Sequence, residues 1–240
     1  MKNMKRILLT MVAALLLVVM SVAGTLAYLV STTQTVNNTF TVGNVNIELD
    51  EAKVQYDAAT NKYTELTERT KIGNEYKILP GVVIAKDPTV TVKANSENCY
   101  VRAMITVTSN QLADELMSDG ESWININNAY WQVVAVTTTK DEPAVYTTDD
   151  EGNKTYTDKG EVVRVYEVRY IGNGNPIVVS ATTDNVLTDI FTTITVPGTI
   201  DEVDVQELAT VKIDVVAHAI QSNGFNGDVN AAWTAYDKQQ

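Results

Sequence analysis

Apolar side chains recur at every second position through much of this chain, in runs too short for long helices. Over residues 100–107 the odd positions are Val101, Ala103, Ile105 and Val107, and the even ones are Tyr100, Arg102, Met104 and Thr106. Successive side chains of a strand point to opposite faces, so this pattern predicts a strand with one apolar face turned into a core and a mixed face turned away. Residues 131–138, 161–170, 190–196 and 211–219 read the same way, while 40–49, 89–93 and 177–180 give weaker strands. Val, Ile, Thr and Tyr fill these runs, and Gly, Asn, Asp and Pro cluster between them, as in antiparallel β structure. The strands suffice for two packed sheets, so the expected fold is an all-β antiparallel sandwich.

Local details refine that picture. In residues 40–49, Phe40 and Val42 share one parity, whereas Val45, Ile47 and Leu49 share the other. A β-bulge at Gly43-Asn44 would return all five side chains to one face; two short strands with a kink between them is the alternative. Residues 50–77 and 142–159 are polar and weakly alternating, with turn-like centres at 57–61 and 149–153, so each is expected to protrude as a hairpin. Helices are few. One is expected over 110–119, presenting Leu112, Leu116 and Met117 and stopping at Gly120, and a turn or two over 201–208. Another, capped by Asp228, should lay Ala232, Trp233 and Tyr236 over the domain. These do not alternate with the strands as a βαβ fold demands, and they read as lids and connections.

The chain opens on a different pattern. Lys2, Lys5 and Arg6 precede a run over 7–20 that is apolar but for Thr10, and small residues follow, ending in Thr25-Leu26-Ala27. This is the layout of a secretory signal peptide: a basic end, a segment that partitions into the bilayer, and a small-residue cleavage site. Residues 1–27 are expected to form an N-terminal signal helix cut between Ala27 and Tyr28, leaving 28–240 as a single soluble domain outside the cytoplasm. An uncleaved membrane anchor is the alternative.

Charge and chemistry narrow the function. The chain carries 18 basic residues, three of them in the leader, against 30 acidic ones. That excess repels phosphate backbones and anionic lipid, which argues against a nucleic-acid partner and against membrane binding other than through the leader. Cys99 is the only cysteine, so it forms no internal bridge, and its place beside the strongest strand puts it in the core. His218 is the only histidine, which excludes a two-histidine zinc site and the His-Glu-x-x-His motif. It shares its parity with Lys212 and Asp214, so a partly exposed sheet face is expected for it. No Gly-x-Ser-x-Gly elbow occurs, and a lone Cys with a lone His lacks any local thiol-enzyme motif. The acidic tip at 149–153 fits the helix-loop-helix calcium motif poorly, because Gly152 is misplaced and no terminal glutamate follows. No catalytic residue, metal or cofactor is therefore expected.

Several short blocks, taken in order, carry a resemblance. Gly24-Thr25-Leu26-Ala27-Tyr28-Leu29 and Asn38-Thr39-Phe40-Thr41-Val42-Gly43-Asn44-Val45 lead, followed by Leu79-Pro80-Gly81, Lys86-Asp87-Pro88-Thr89-Val90 and Tyr100-Val101-Arg102. Ala219-Ile220-Gln221-Ser222-Asn223-Gly224-Phe225 and Ala231-Ala232-Trp233 close the series. Together they resemble the exported TasA and camelysin family of Gram-positive bacteria across most of the chain after the leader. The resemblance implies a jelly-roll sandwich, release by a SipW-type signal peptidase, and self-association into extracellular fibres of a biofilm matrix, alone or with related matrix proteins. It also implies polymerisation in which the freed N-terminal segment of one subunit completes a sheet of the next. Carried onto this sequence, that segment lies within 28–40 and centres on Thr35, Val36, Asn37, Asn38, Thr39 and Phe40. The expected function is a secreted, non-enzymatic structural protein. The rivals are a secreted camelysin-like hydrolase, which the missing histidine pair disfavours, and a cell-surface binding module.

Overall fold

The computed structural model describes residues 44–118, 124–140, 144–151, 154–172 and 175–239. The signal helix, the Ala27–Tyr28 cleavage point, the segment Thr35–Phe40, Phe40 and Val42 of the expected bulge, Gly120, and Gly152-Asn153 of the acidic tip lie outside the described residues.

Among the described residues, thirteen strands and three helices follow in chain order. They are β1 (Ile47–Asp57), β2 (Lys62–Thr70), β3 (Val83–Ala85), β4 (Thr89–Val92), β5 (Cys99–Asn110), α1 (Gln111–Ser118), β6 (Ile124–Ile126), β7 (Trp131–Lys140) and β8 (Val145–Thr148). Next come β9 (Lys154–Asp158), β10 (Glu161–Tyr170), β11 (Asn185–Val186), β12 (Phe191–Thr195), α2 (Glu202–Leu208), β13 (Lys212–Gln221) and α3 (Val229–Asp237). A seven-stranded sheet has the order β11-β4-β1-β2-β3-β12-β6, a four-stranded sheet the order β13-β5-β10-β7, and β8-β9 form a separate hairpin. Pairing is antiparallel except for one parallel match, Lys62 with Val83. The protein is thus all-β, as the alternation predicts.

One core holds side chains from both larger sheets. Val101, Ala103, Ile105 and Val107 of β5 are all buried in it, as the odd-position pattern requires, together with Val82, Ile84, Val90 and Val92 from the other sheet. Burying a side chain of this size contributes about 1.5–3 kcal/mol, which makes this the main source of stability. Cys99 lies in the same core, fully buried and unbridged. The even face of β5 departs from expectation at one end. Tyr100 and Arg102 are buried, because α3 lies across them and forms a second cluster of Tyr100, Ala232 and Trp233.

The helices begin where their caps sit. Asn110 Oδ1 accepts the Ala113 amide at 2.9 Å to start α1, and Asp228 Oδ1 accepts the Ala231 amide at 2.9 Å to start α3. Asp201 and Asp204 form a reciprocal capping box on α2. Each such interaction satisfies amides that the first helical turn leaves unpaired, worth about 1 kcal/mol.

Residues 131–138 lie in β7, but apart from Trp131 none of its residues is buried, so the apolar face expected there does not turn into the core. Two further expectations need correction. Residues 50–77 do turn back at 57–61, where Asp57 Oδ1 accepts the Ala59 amide at 2.9 Å and Asn61 takes a left-handed conformation (φ 53°). They do not form a free arm, however. β1 pairs with β4 through Ile47–Asp50 and then with β2 from Glu51 to Asp57, so the hairpin lies within the large sheet. Tyr63 is buried in the core with Tyr56 at 5.2 Å and Tyr76 at 5.3 Å between ring centroids, and this aromatic group pulls the hairpin inward. Residues 177–180 make a single bridge, Ile177 with Cys99, in place of a strand. Side-chain amides take over there: Asn98 Oδ1 accepts the Val179 amide at 2.9 Å, and Asn185 Nδ2 donates to the Val178 carbonyl at 2.8 Å. The second polar stretch does form its hairpin, with Tyr146 and Tyr156 rings 5.3 Å apart across β8 and β9.

Candidate functional site

The four-stranded sheet ends on β13, which pairs with β5 along its whole length, from Lys212 opposite Thr108 to Gln221 opposite Cys99. Among the described residues no strand pairs with its other edge. Its residues alternate as the sequence suggests. Ile213, Val215, Ala217 and Ala219 pack against the core, while Lys212, Asp214 and Val216 face solvent.

Beside this edge runs a groove of about 220 Å³ between β13 and the opposing sheet, lined by Leu49, Asp50, Glu51, Thr70, Lys71, Pro88 and Val215 among others. A cavity of about 580 Å³ lies next to it, and the two share Gly73, Lys86, Ile213 and Asp214 as walls. Most of the cavity wall is apolar, including Ile84, Val107, Ile124, Ile194, Val196 and Leu208. An unpaired strand edge beside an apolar hollow presents main-chain donors and acceptors together with room for side chains.

A charged network fixes the far wall of the groove. Lys86 pairs with Glu51, and both are buried. Glu51 Oε1 also accepts from the Asn74 amide at 3.0 Å and from Asn74 Nδ2 at 2.8 Å, which holds the 73–78 segment over the cavity. Asp87 accepts the Ala52 amide and the Arg69 guanidinium, each at 2.6 Å, and Arg69 reaches on to Asp50 at 2.7 Å. The Lys86 ammonium stands 5.6 Å from the Tyr76 ring centroid. Burial, with the Glu51 charge second, pushes the Tyr76 phenol far above its ordinary range, so it stays neutral. A buried pair of this kind contributes little net stability, but losing one partner strands a charge.

On the other face of the same sheet, Arg102 is sandwiched between the Trp233 ring (4.5 Å) and the Tyr236 ring (5.0 Å) and bonded to Asp237 at 2.5 Å. His218 Nδ1 accepts from Arg102 Nε at 3.4 Å, and its ring lies 5.1 Å from Tyr236. Burial lowers the His218 pKa, with the Arg102 charge adding to the effect. His218 is half-buried on this sheet face, as its parity predicts, with Tyr236 of α3 beside its ring. Burial also pushes the Cys99 thiol up to about 12, so it is a neutral thiol at ordinary pH. Cys99 belongs to the inter-sheet core and His218 to the face under α3, so the structure does not bring them together.

Among the described residues, several of the short blocks quoted from the sequence are joints in the fold. Gly81 has a positive φ of 69° and its amide donates to the Pro197 carbonyl at 3.1 Å, so only glycine suits the Pro80-Gly81 turn. Lys86 and Asp87 anchor the groove wall, and Arg102 docks α3 through Trp233. Glu51 and Arg69, which complete the network, lie in the stretch read from sequence as a protruding arm; their partners are 35 and 18 residues away, and no local pattern signals them. Among the described residues, no group of three or more His, Cys, Asp or Glu is placed to hold a metal ion. In comparisons with known proteins, no family model, no curated protein and no solved structure matches this chain.

Proposed function

We propose that this chain is an exported, non-enzymatic structural protein of an extracellular biofilm matrix, a jelly-roll subunit of the TasA and camelysin kind or an accessory to such fibres. Its leader is removed by a SipW-type signal peptidase between Ala27 and Tyr28, and the segment within 28–40 of one copy pairs along the open edge of β13 in the next. The observation that carries this reading is the bare β13 edge beside a groove and an apolar cavity. A donated strand would gain main-chain hydrogen bonds along β13, and Val36 and Phe40, which share a face, would turn toward the hollow. The contact joins two different surfaces and need not close, so it builds a filament.

Electron microscopy of the chain starting at Tyr28, compared with one retaining additional residues before Tyr28, tests the reading. Filaments are expected only from the first, and Phe40→Asp should abolish them. Filaments of equal abundance from the longer chain, or from Phe40→Asp, would refute strand donation at this end.

A further inference from the structure

Among the described residues, the opposite edge of the four-stranded sheet is also bare: β7 pairs there with β10 alone, from Trp131 opposite Tyr170 to Lys140 opposite Val162. Apart from buried Trp131, every residue of β7 is exposed, whichever face it occupies. Val133, Val134 and Val136 are 38%, 39% and 49% exposed. Proteins usually protect such an edge with charges, prolines or bulges. Here there is no proline and no charge from Trp131 to Thr139, and the one irregularity falls at Val134, leaving Ala135–Lys140 in regular register. The single charge, Lys140, turns back toward Asp114 of its own α1, 3.6 Å away.

The neutrality matters because the chain as a whole carries −12. Two copies repel over most of their surface, and β7 is a strip where that repulsion is weakest. An antiparallel strand is also its own complement: two copies related by a two-fold axis pair without any second surface, and the contact closes at two.

We propose that β7 is a homotypic docking edge, through which a second copy of this chain pairs antiparallel to join two four-stranded sheets into one of eight. With the axis at Thr137, that residue faces its own copy, Val136 faces Thr138, Ala135 faces Thr139, and Lys140 does not meet its own image. A single pair of strands buries less than the roughly 1,200 Å² of a stable interface, so the isolated dimer is weak. Repeated along a polymer, the same contact becomes multivalent and bundles filaments side by side. The dimer itself does not depend on strand donation at β13.

Sedimentation equilibrium of the Phe40→Asp chain from Tyr28 onward, which keeps every described strand and helix and is expected to form no filaments, should give a reversible dimer with a dissociation constant of about 10⁻⁴ M. Val136→Lys with Thr138→Lys should weaken it tenfold or more while leaving the unfolding midpoint in place. Thr137→Cys, which meets its own copy across the axis, should oxidise to a covalent dimer faster than Thr64→Cys on β2. A chain starting at Asn44 should still dimerise but form no filaments, so this proposal and the one for β13 fail separately. Four results would overturn it: a monomer up to millimolar concentration, a dimer indifferent to the lysine pair, cross-linking as fast at position 64, or a dimer seen only once residues 28–43 are removed.

Discussion

Among the described residues, β13 and β7 bound the same sheet, have equal length and both lack an outer partner, yet they differ in what lies beneath them. β13 faces β1 across a groove, with its odd residues on the core and its even residues largely in water. β7 has exposed residues on both faces and lines neither of these two hollows. An edge with a prepared hollow at its side suits a strand of different sequence with side chains to place there. One that is uncharged and bare on both faces suits a copy of itself. Edge chemistry is thus decided less by the strand than by the layer opposite.

The contrast can be broken most forcefully at the groove wall. Lys86→Met leaves Glu51 buried without its partner and should cost about 3–5 kcal/mol in urea unfolding, with Glu51→Leu added alongside recovering most of it. Lys140→Ala, at the end of β7, removes a half-exposed ion pair whose acid keeps Arg164 at 2.6 Å, and should change stability by less than about 0.5 kcal/mol. Equal losses at the two sites would mean the edges are not built differently.

A smaller effect separates the strands themselves. Val215→Lys puts an ammonium against the core side of β13 and should destabilise by about 2 kcal/mol while suppressing filaments, whereas Val136→Lys should stay within about 0.5 kcal/mol. Thermal unfolding monitored by circular dichroism reads both.

Acid should act on β13 and spare β7. The folded pKa of His218 is depressed, so its contribution is complete above the ordinary value of 6.5 and is lost as pH falls from there through the folded value. Protonation places a cation against Arg102, with Glu167 and Asp237 offsetting part of the repulsion. Wild type should therefore lose stability relative to His218→Gln below pH 6.5, and tryptophan fluorescence should report loosening of α3 around Trp233. The β7 dimer, with no titratable group between Trp131 and Thr139, should keep its constant over pH 5.5–7.5 apart from changes in overall charge. Salt should have the smallest effect, tightening that dimer a few-fold between 0.05 and 0.5 M as acidic repulsion is screened; weakening would reveal an ionic contact.

Much of the scaffold was legible along the chain. β5, β10, β12 and β13 follow from alternation, α1 from the spacing of Leu112, Leu116 and Met117, and α3 from Asp228 as its cap, because strand faces, helix faces and first-turn amides are governed by neighbours in sequence. Misreadings arose where distant groups intervened. The tyrosine cluster drew residues 50–77 into the large sheet, and side-chain amides of Asn98 and Asn185 replaced the ladder expected at 177–180. The leader and its cleavage point follow from local patterns, the donor segment only from the resemblance, and all three lie outside the described residues.

From the sequence by itself came the β character of this protein, its buried cysteine, its acidic surface and its expectation of export. Each depends on composition or on a period of two, which are local properties. Which strands stand at the rims, the hollow beneath one of them and the Glu51–Lys86 pair on its wall were decided only by tertiary structure. Edges and cavities are relations between layers that meet across tens of residues, and no short window of the chain contains both sides.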